Sequence, residues 1–331
     1  MRNRQIAMTT RPIGVPKVED FSMVTEDVPQ LGDQMVLVGA QYLSVDPYMR
    51  GRMRDRPSYA PPFALNTVVP AAGVGVVRQS KHPDFSEGDV VLGPLGWQEL
   101  ALIEGAHLQR IDPALAPIST ALGVLGMPGL TAYFGMTHVA EVQQGQTVVV
   151  SAAAGAVGLV ACQVGKILGA RVIGIAGSEV KTQALVNEFG ADGAINYRTD
   201  DVNDSLARLC PAGVDVYFDN VGGVITDILF EHLSVHARVA VCGQISGYNL
   251  ETTRQMPDML WRLVSHRIRV EGFLVGDFAD QRQEALLRLS HWYQDGKLIS
   301  REHIVDGLER LPEAFLGLFS GENLGKQLVR V

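Results

Sequence analysis

The sequence predicts a two-part α/β protein, in which a mostly β domain precedes a doubly wound parallel sheet. From about residue 147 onward, apolar β-branched runs alternate with helical patterns, which is the signature of repeated βαβ units. Residues 1–120 instead carry short β-rich runs separated by Gly, Pro and Asp, without long helical periodicity. A chain of 331 residues is long enough to build both cores. The expected division is 1–120 with 300–331 for the β domain, and 121–299 for the wound sheet.

In the first part, residues 35–40, 68–77 and 89–92 read as strands. Residues 147–150 then form a β-branched run that turns through small residues into a helix. Val157, Val160, Ala161, Val164, Ile167 and Leu168 keep the spacing of one apolar helical face, and Gly169 fits its C-terminal stop. A second strand is expected over residues 171–176. Ser178 is placed to cap a helix running to Phe189, followed by a short strand near Ala194 and Ile195 and a polar helix near 200–210. Residues 214–218, 238–242 and 268–274 supply the remaining strands, giving six in all. The strand-like run at 326–331 is expected to return to the β domain.

The turn at 151–158, Ser-Ala-Ala-Ala-Gly-Ala-Val-Gly, has the shape of a dinucleotide site. Small residues let the backbone approach a pyrophosphate, Gly158 allows the new helix to pack tightly on the sheet, and the helix N-terminus offers N–H groups and a positive dipole end. The first glycine of Gly-x-Gly-x-x-Gly is replaced by alanine here. The surrounding βαβ alternation supplies the context that a glycine-rich turn alone lacks. Ligands of such sheets bind at the carboxyl ends of the strands, and clefts between domains are favoured sites.

At the end of the second strand, Ile175-Ala176-Gly177-Ser178 contains no acid of the kind that binds NAD ribose hydroxyls. Lys181, one turn into the next helix, is either a solvated helix lysine or a point charge for a 2′-phosphate, with Glu179 nearby opposing an anion. The missing acid favours NADP.

Composition excludes other classes. A net charge of −8 without a basic run argues against nucleic acid or an anionic membrane as partner. No stretch of 18 apolar residues and no hydrophobic signal region is present, so a cytoplasmic protein is expected. The three cysteines, Cys162, Cys210 and Cys242, lie far apart with no Cys-x-x-Cys pair. His232 and His236 stand four apart but lack the glutamate of His-Glu-x-x-His, and residues 233–235 lead toward the next strand, which separates the two rings. No metal is expected.

Several segments together resemble the zinc-independent medium-chain dehydrogenase/reductase superfamily over essentially the whole length. They are Asp46-Pro47-Tyr48-Met49-Arg50-Gly51, Gly126-Met127-Pro128-Gly129-Leu130-Thr131-Ala132-Tyr133, the turn at 152–158, Phe218-Asp219-Asn220-Val221-Gly222-Gly223, Cys242-Gly243-Gln244-Ile245-Ser246-Gly247-Tyr248-Asn249, and Glu322-Asn323-Leu324-Gly325-Lys326. Within the superfamily the chain is similar to the group of prostaglandin reductases (leukotriene B4 12-hydroxydehydrogenases), plant alkenal double-bond reductases and bacterial curcumin reductases. Pro57-Ser58-Tyr59 with Pro61-Pro62 and Val124-Leu125-Gly126 are shared especially with the curcumin reductases.

The resemblance implies a GroES-like β domain joined to a Rossmann domain, binding NADPH and reducing the carbon–carbon double bond of α,β-unsaturated ketones and aldehydes. It implies a homodimer, with the region of the fifth and sixth strands as interface. Gly155, Ala156, Val157 and Gly158 would hold the pyrophosphate, and Lys181 and Tyr197 the 2′-phosphate, with Arg198 either joining them or facing solvent. Asn220, Cys242, Gly243, Ile245, Ser246, Tyr248, Phe273, Leu274, Val275 and Asn323 would line the nucleotide, with Met127 and Thr131 near the nicotinamide.

Conjugate reduction needs a donor for the carbonyl oxygen on which charge develops. Candidates are a ribose hydroxyl of the cofactor and the phenol of Tyr248, which either donates a proton or only walls the pocket. Tyr59, on a Pro-flanked loop, is a second candidate catalytic residue or else a lid or packing residue. Asp46 and Arg50 suggest an ion pair that fixes a loop. Trp97, Trp261 and Trp292 read as core or interface, and Cys242 as packing, because no His or Lys adjoins it. The alternatives are a quinone oxidoreductase of the same superfamily and a non-catalytic NADPH-binding protein.

Overall fold

The computed structural model describes all 331 residues and divides into two units, Met1–Leu122 with Glu302–Val331, and Gly123–Arg301. The first unit is mostly β. Its strands are β1 (Arg2–Met8), β2 (Phe21–Asp27), β3 (Met35–Ser44), β4 (Thr67–Val68), β5 (Gly73–Ser80), β6 (Val90–Gly93), β7 (Leu100–Glu104) and β8 (Gln109–Arg110). A single short helix, α1 (Met49–Arg52), follows β3. The expected run at 68–77 is split: β4 ends at Val68, and β5 begins only at Gly73. Pro70 lies in the gap, where its ring removes a backbone donor from any ladder. Trp97, Phe315, Phe21 and Phe63 anchor the core of this unit, with Met8, Met49 and Met53 filling between them.

In the second unit, α2 (Met127–Phe134) leads to β9 (Thr147–Val150), α3 (Ala156–Ile167), β10 (Arg171–Ala176), α4 (Glu179–Asn187), β11 (Gly193–Asn196), α5 (Val202–Leu209) and β12 (Val214–Asp219). The chain continues through α6 (Gly223–His232), β13 (Leu233–Val241), α7 (Leu260–His266), β14 (Arg269–Gly272) and α8 (Arg282–Gln294). The six strands form one parallel sheet in the order β11-β10-β9-β12-β13-β14, a doubly wound Rossmann arrangement. The order reverses direction at β9, so the turn after β9 stands at the topological switch point. Strands β9, β10 and β12 are buried on both faces, which explains their continuous apolar runs.

Gly169 takes φ +80° after α3, and the Ser178 side chain accepts a hydrogen bond from the Lys181 N–H, as a stop and a cap require. Strand β13 starts at Leu233, five residues before the expected 238, because a pairing irregularity with β12 and a positive φ at His236 interrupt its periodicity.

The chain then returns to the first unit through β15 (Glu302–Asp306), α9 (Leu311–Ser320) and β16 (Lys326–Arg330). These strands complete a sheet ordered β15-β16-β3-β5-β6-β8, with β7 pairing β3. No helix is long and apolar enough to cross a membrane.

Candidate active site

The carboxyl end of β9 runs into a tight turn whose geometry is set by small residues. Gly155 precedes α3 with φ −84° and ψ 176°, and no side chain caps this helix start. Gly155, Ala156 and Val157 remain partly exposed while Gly158 is buried. A Cβ on Gly158 would fall 2.3 Å from the Ala152 carbonyl oxygen and 2.8 Å from the Ala153 Cα, so only glycine lets α3 approach the turn this closely. Ala152 itself carries φ +45°, a left-handed conformation that a residue with a Cβ adopts at some cost. The first turn of a buried helix without a side-chain cap is a ready site for an anion.

At the end of β10, Lys181, Tyr197 and Arg198 come together. The Tyr197 ring lies over Gly177, whose Cβ position is 2.8 Å from the phenol oxygen. The Arg198 guanidinium stands 5.9 Å from the Tyr197 ring centre. Burial, followed by the nearby Arg198 charge, holds the Lys181 ammonium below its ordinary range. Two cations so close at a strand's carboxyl end suit a ligand of high negative charge. Arg198, open in the sequence reading, is the group here that sequence reasoning left unassigned.

The loops after β12 and β13 are hydrogen-bonded to each other. The N–H groups of Cys242 and Gly243 donate to the Asp219 carbonyl at 2.8 and 3.1 Å, those of Ile245 and Ser246 to the Asn220 and Val221 carbonyls at 3.3 and 3.1 Å. The Ser246 hydroxyl adds a bond to the Val221 carbonyl at 2.6 Å. Asn220 is tied to the glycine turn, its Nδ2 donating to the Ser151 carbonyl at 2.8 Å. Tyr248 closes this segment, and its phenol oxygen accepts from the Gln244 N–H at 3.4 Å. Cys242 keeps some accessible surface, but its dense surroundings, then the Asp219 charge, push its thiol up to about 12, which leaves it no nucleophile.

Phe273 joins an aromatic cluster with Phe218 and Phe278, while Leu274 is exposed and Val275 half-buried. On α2, the Thr131 hydroxyl donates to the Met127 carbonyl at 2.7 Å, so its proton is already used within the helix.

In the first unit, Tyr59 is 61% exposed on its loop. Burial, then Asp46, pushes the Tyr48 phenol well above its ordinary value. Asn323 is buried, its Nδ2 donating to the Gly325 carbonyl at 2.7 Å. The suggested Asp46–Arg50 pair does not form. Asp46 meets Lys326 Nζ at 2.8 Å in a buried ion pair, and Arg50 sends its guanidinium to the carbonyls of Pro12 and Gly14.

No group of three or more His, Cys, Asp or Glu side chains could hold a metal ion. His232 ends α6 and bonds Asn203, while His236 lies on β13.

Two family models match the chain, one described as the N-terminal domain of oxidoreductase over residues 4–111, the other as zinc-binding dehydrogenase over residues 156–291. The zinc in the second description finds no donor set here.

A Bacillus subtilis protein named provisionally as an NADP-dependent oxidoreductase is 47% identical, covering 99% of this chain and 97% of its own. The NADPH-dependent curcumin reductase of Escherichia coli is 40% identical over 100% of this chain and 97% of its own. The NADP-dependent 2-alkenal reductase of Nicotiana tabacum is 41% identical, covering 99% and 97%. The crystal structure of CurA from Vibrio vulnificus in complex with NADPH superposes with a TM-score of 0.95 at 40% identity, covering 99% of both chains. With whole-length likeness at these identities, the chain belongs to the medium-chain dehydrogenase/reductase family of oxidoreductases, within the group of curcumin, alkenal and prostaglandin reductases.

Proposed function

We propose that the protein binds NADPH and reduces the carbon–carbon double bond of α,β-unsaturated ketones and aldehydes, without a metal. The observation that carries this reading is whole-length likeness, at 40 and 41% identity, to relatives named for reducing curcumin and 2-alkenals. The paired cations Lys181 and Arg198, with no acid at the end of β10, support NADPH over NADH. Gly155, Ala156 and Val157 would present backbone N–H groups to the pyrophosphate. Asn220 and the segment from Cys242 through Gly243, Ile245 and Ser246 to Tyr248 would flank the nicotinamide half, with Phe273, Leu274, Val275, Met127 and Thr131 as further walls.

NADPH held by these residues would supply a hydride to the β-carbon of the substrate. Negative charge then gathers on the substrate's carbonyl oxygen, where a hydroxyl donor stabilises it, and the α-carbon takes up a proton. Tyr248, at the carboxyl end of β13, is the protein's donor in this reading. An exposed edge strand and exposed apolar residues on α7 support assembly with a second copy of the chain.

The test is incubation with a simple enone and NADPH deuterated in turn at each prochiral C4 position. Deuterium on the product's β-carbon is the expected result. No labelled product across enones of varied size, with NADPH still bound, would replace this reading with a quinone acceptor or a non-catalytic role.

A further inference from the structure

Asp219, the last residue of β12, is a buried carboxylate with no salt bridge, and only 2% of its surface is exposed. Five hydrogen-bond donors surround it instead. Its Oδ1 accepts from the Ser151 hydroxyl at 3.0 Å, the Tyr217 phenol at 2.8 Å and the N–H groups of Val221 and Gly222, each at 2.9 Å. Its Oδ2 accepts from the Thr226 hydroxyl at 2.7 Å. A buried carboxylate held only by neutral donors is costly, and well-packed apolar residues generally do as well for stability. Its value therefore lies in what the five donors fix in place.

Those donors come from separate segments. Ser151 begins the turn after β9, Val221 and Gly222 form the loop after β12, and Thr226 lies on α6. The main-chain carbonyl of the same Asp219 accepts from Cys242 and Gly243 after β13. Ser151 completes a relay, because its hydroxyl oxygen accepts from the Asn220 N–H at 2.9 Å while its proton points to Asp219. One residue thus sets the relative positions of the glycine turn, Asn220 and the Cys242–Gly243 corner. Gly222 and Gly223, at φ +66° and +65°, let the loop curl so that its N–H groups converge on the carboxylate.

We infer that Asp219 is a positioning residue for the nicotinamide half of the nucleotide, acting through Ser151 and Asn220. This rests on the NADPH reading above. The adenosine end, at Lys181, Tyr197 and Arg198, lies beyond Asp219's hydrogen bonds and is held separately by β10, α4 and β11.

The test compares dissociation constants for NADPH and for 2′,5′-ADP, which carries the adenosine end alone, in the wild type, Asp219→Asn and Ser151→Ala. Asp219→Asn removes the charge and turns an amide donor toward other donors. Ser151→Ala cuts the relay to Asn220 without adding a group, and it decides the matter if the first variant does not fold. NADPH binding is expected to weaken about tenfold in Asp219→Asn and about threefold or more in Ser151→Ala, as losing hydrogen bonds to a charged group implies, with 2′,5′-ADP binding within about twofold of wild type. NADPH binding unchanged in Ser151→Ala, or both ligands weakened in equal proportion, would overturn the inference. A wild type that binds neither ligand would instead remove the NADPH reading, whereas one that binds NADPH but reduces no enone would remove only the proposed substrate.

Discussion

At the residue scale, Tyr248 sits on a segment hydrogen-bonded to Asn220 and Val221, so the backbone holds its position even without the long bond from the Gln244 N–H to its hydroxyl. Tyr248→Phe should therefore leave NADPH affinity within about twofold while turnover falls roughly 10²-fold or more, the scale of general acid catalysis. Steady-state kinetics with a saturating cofactor checks this, and an unchanged kcat would reduce Tyr248 to a wall. Lys181 is held below its ordinary range by burial and by Arg198, and a 2′-phosphate binds the protonated form. Binding thus favours proton uptake, so affinity is complete below the lowered Lys181 value and declines as pH rises through it, before the ordinary lysine value of about 10.4. Below about pH 6 the phosphate loses its own second charge, and affinity falls again. Titration of NADPH affinity from pH 5 to 10 should show both limbs, and Lys181→Ala should lose the alkaline one while weakening NADPH about 10- to 100-fold and NADH little.

At the element scale, the join of β9 to α3 governs whether the site forms. Gly158→Ala would force a methyl against the Ala152 carbonyl, a backbone atom with no room to yield. We expect a stability loss of about 1–3 kcal/mol, typical of overpacking, together with weaker NADPH binding. Gly155→Ala is the control, since its Cβ would stand 3.3 Å from the same carbonyl and its φ is ordinary. Thermal melts of the two variants should separate clearly, and equal melting temperatures would refute the steric argument.

This join was legible in the sequence because small residues at fixed offsets have a local cause, and the strands of the parallel sheet were legible because burial on both faces makes them continuous apolar runs. Contacts between residues distant in sequence were not. Nothing local links Ser151 to Asp219 or Asp46 to Lys326, and sequence proximity alone suggested Asp46 with Arg50. Strand β13 was shortened for a related reason, its irregular start hiding the period-two pattern.

At the scale of the whole molecule, the second unit leaves one edge of its parallel sheet uncovered. Strand β14 pairs only with β13, and all four of its residues are exposed, Val270 among them. Beside it in the chain, α7 exposes Leu260, Val264 and Trp261, the last at 74% of its surface. An open edge with unpaired N–H and C=O groups and adjacent apolar side chains invites another strand, and the partner that is always present at matching concentration is a second copy. Charged Arg269 and Glu271 flank Val270, which restrains indiscriminate pairing and favours an ordered, two-fold contact. Sedimentation of the wild type should therefore give a dimer, and Trp261→Glu combined with Val270→Lys should shift it to monomer while the far-ultraviolet circular dichroism is retained. A wild type that sediments as a monomer at micromolar concentration would show that this edge is managed by its charges alone, and the apolar face of α7 would then need another partner.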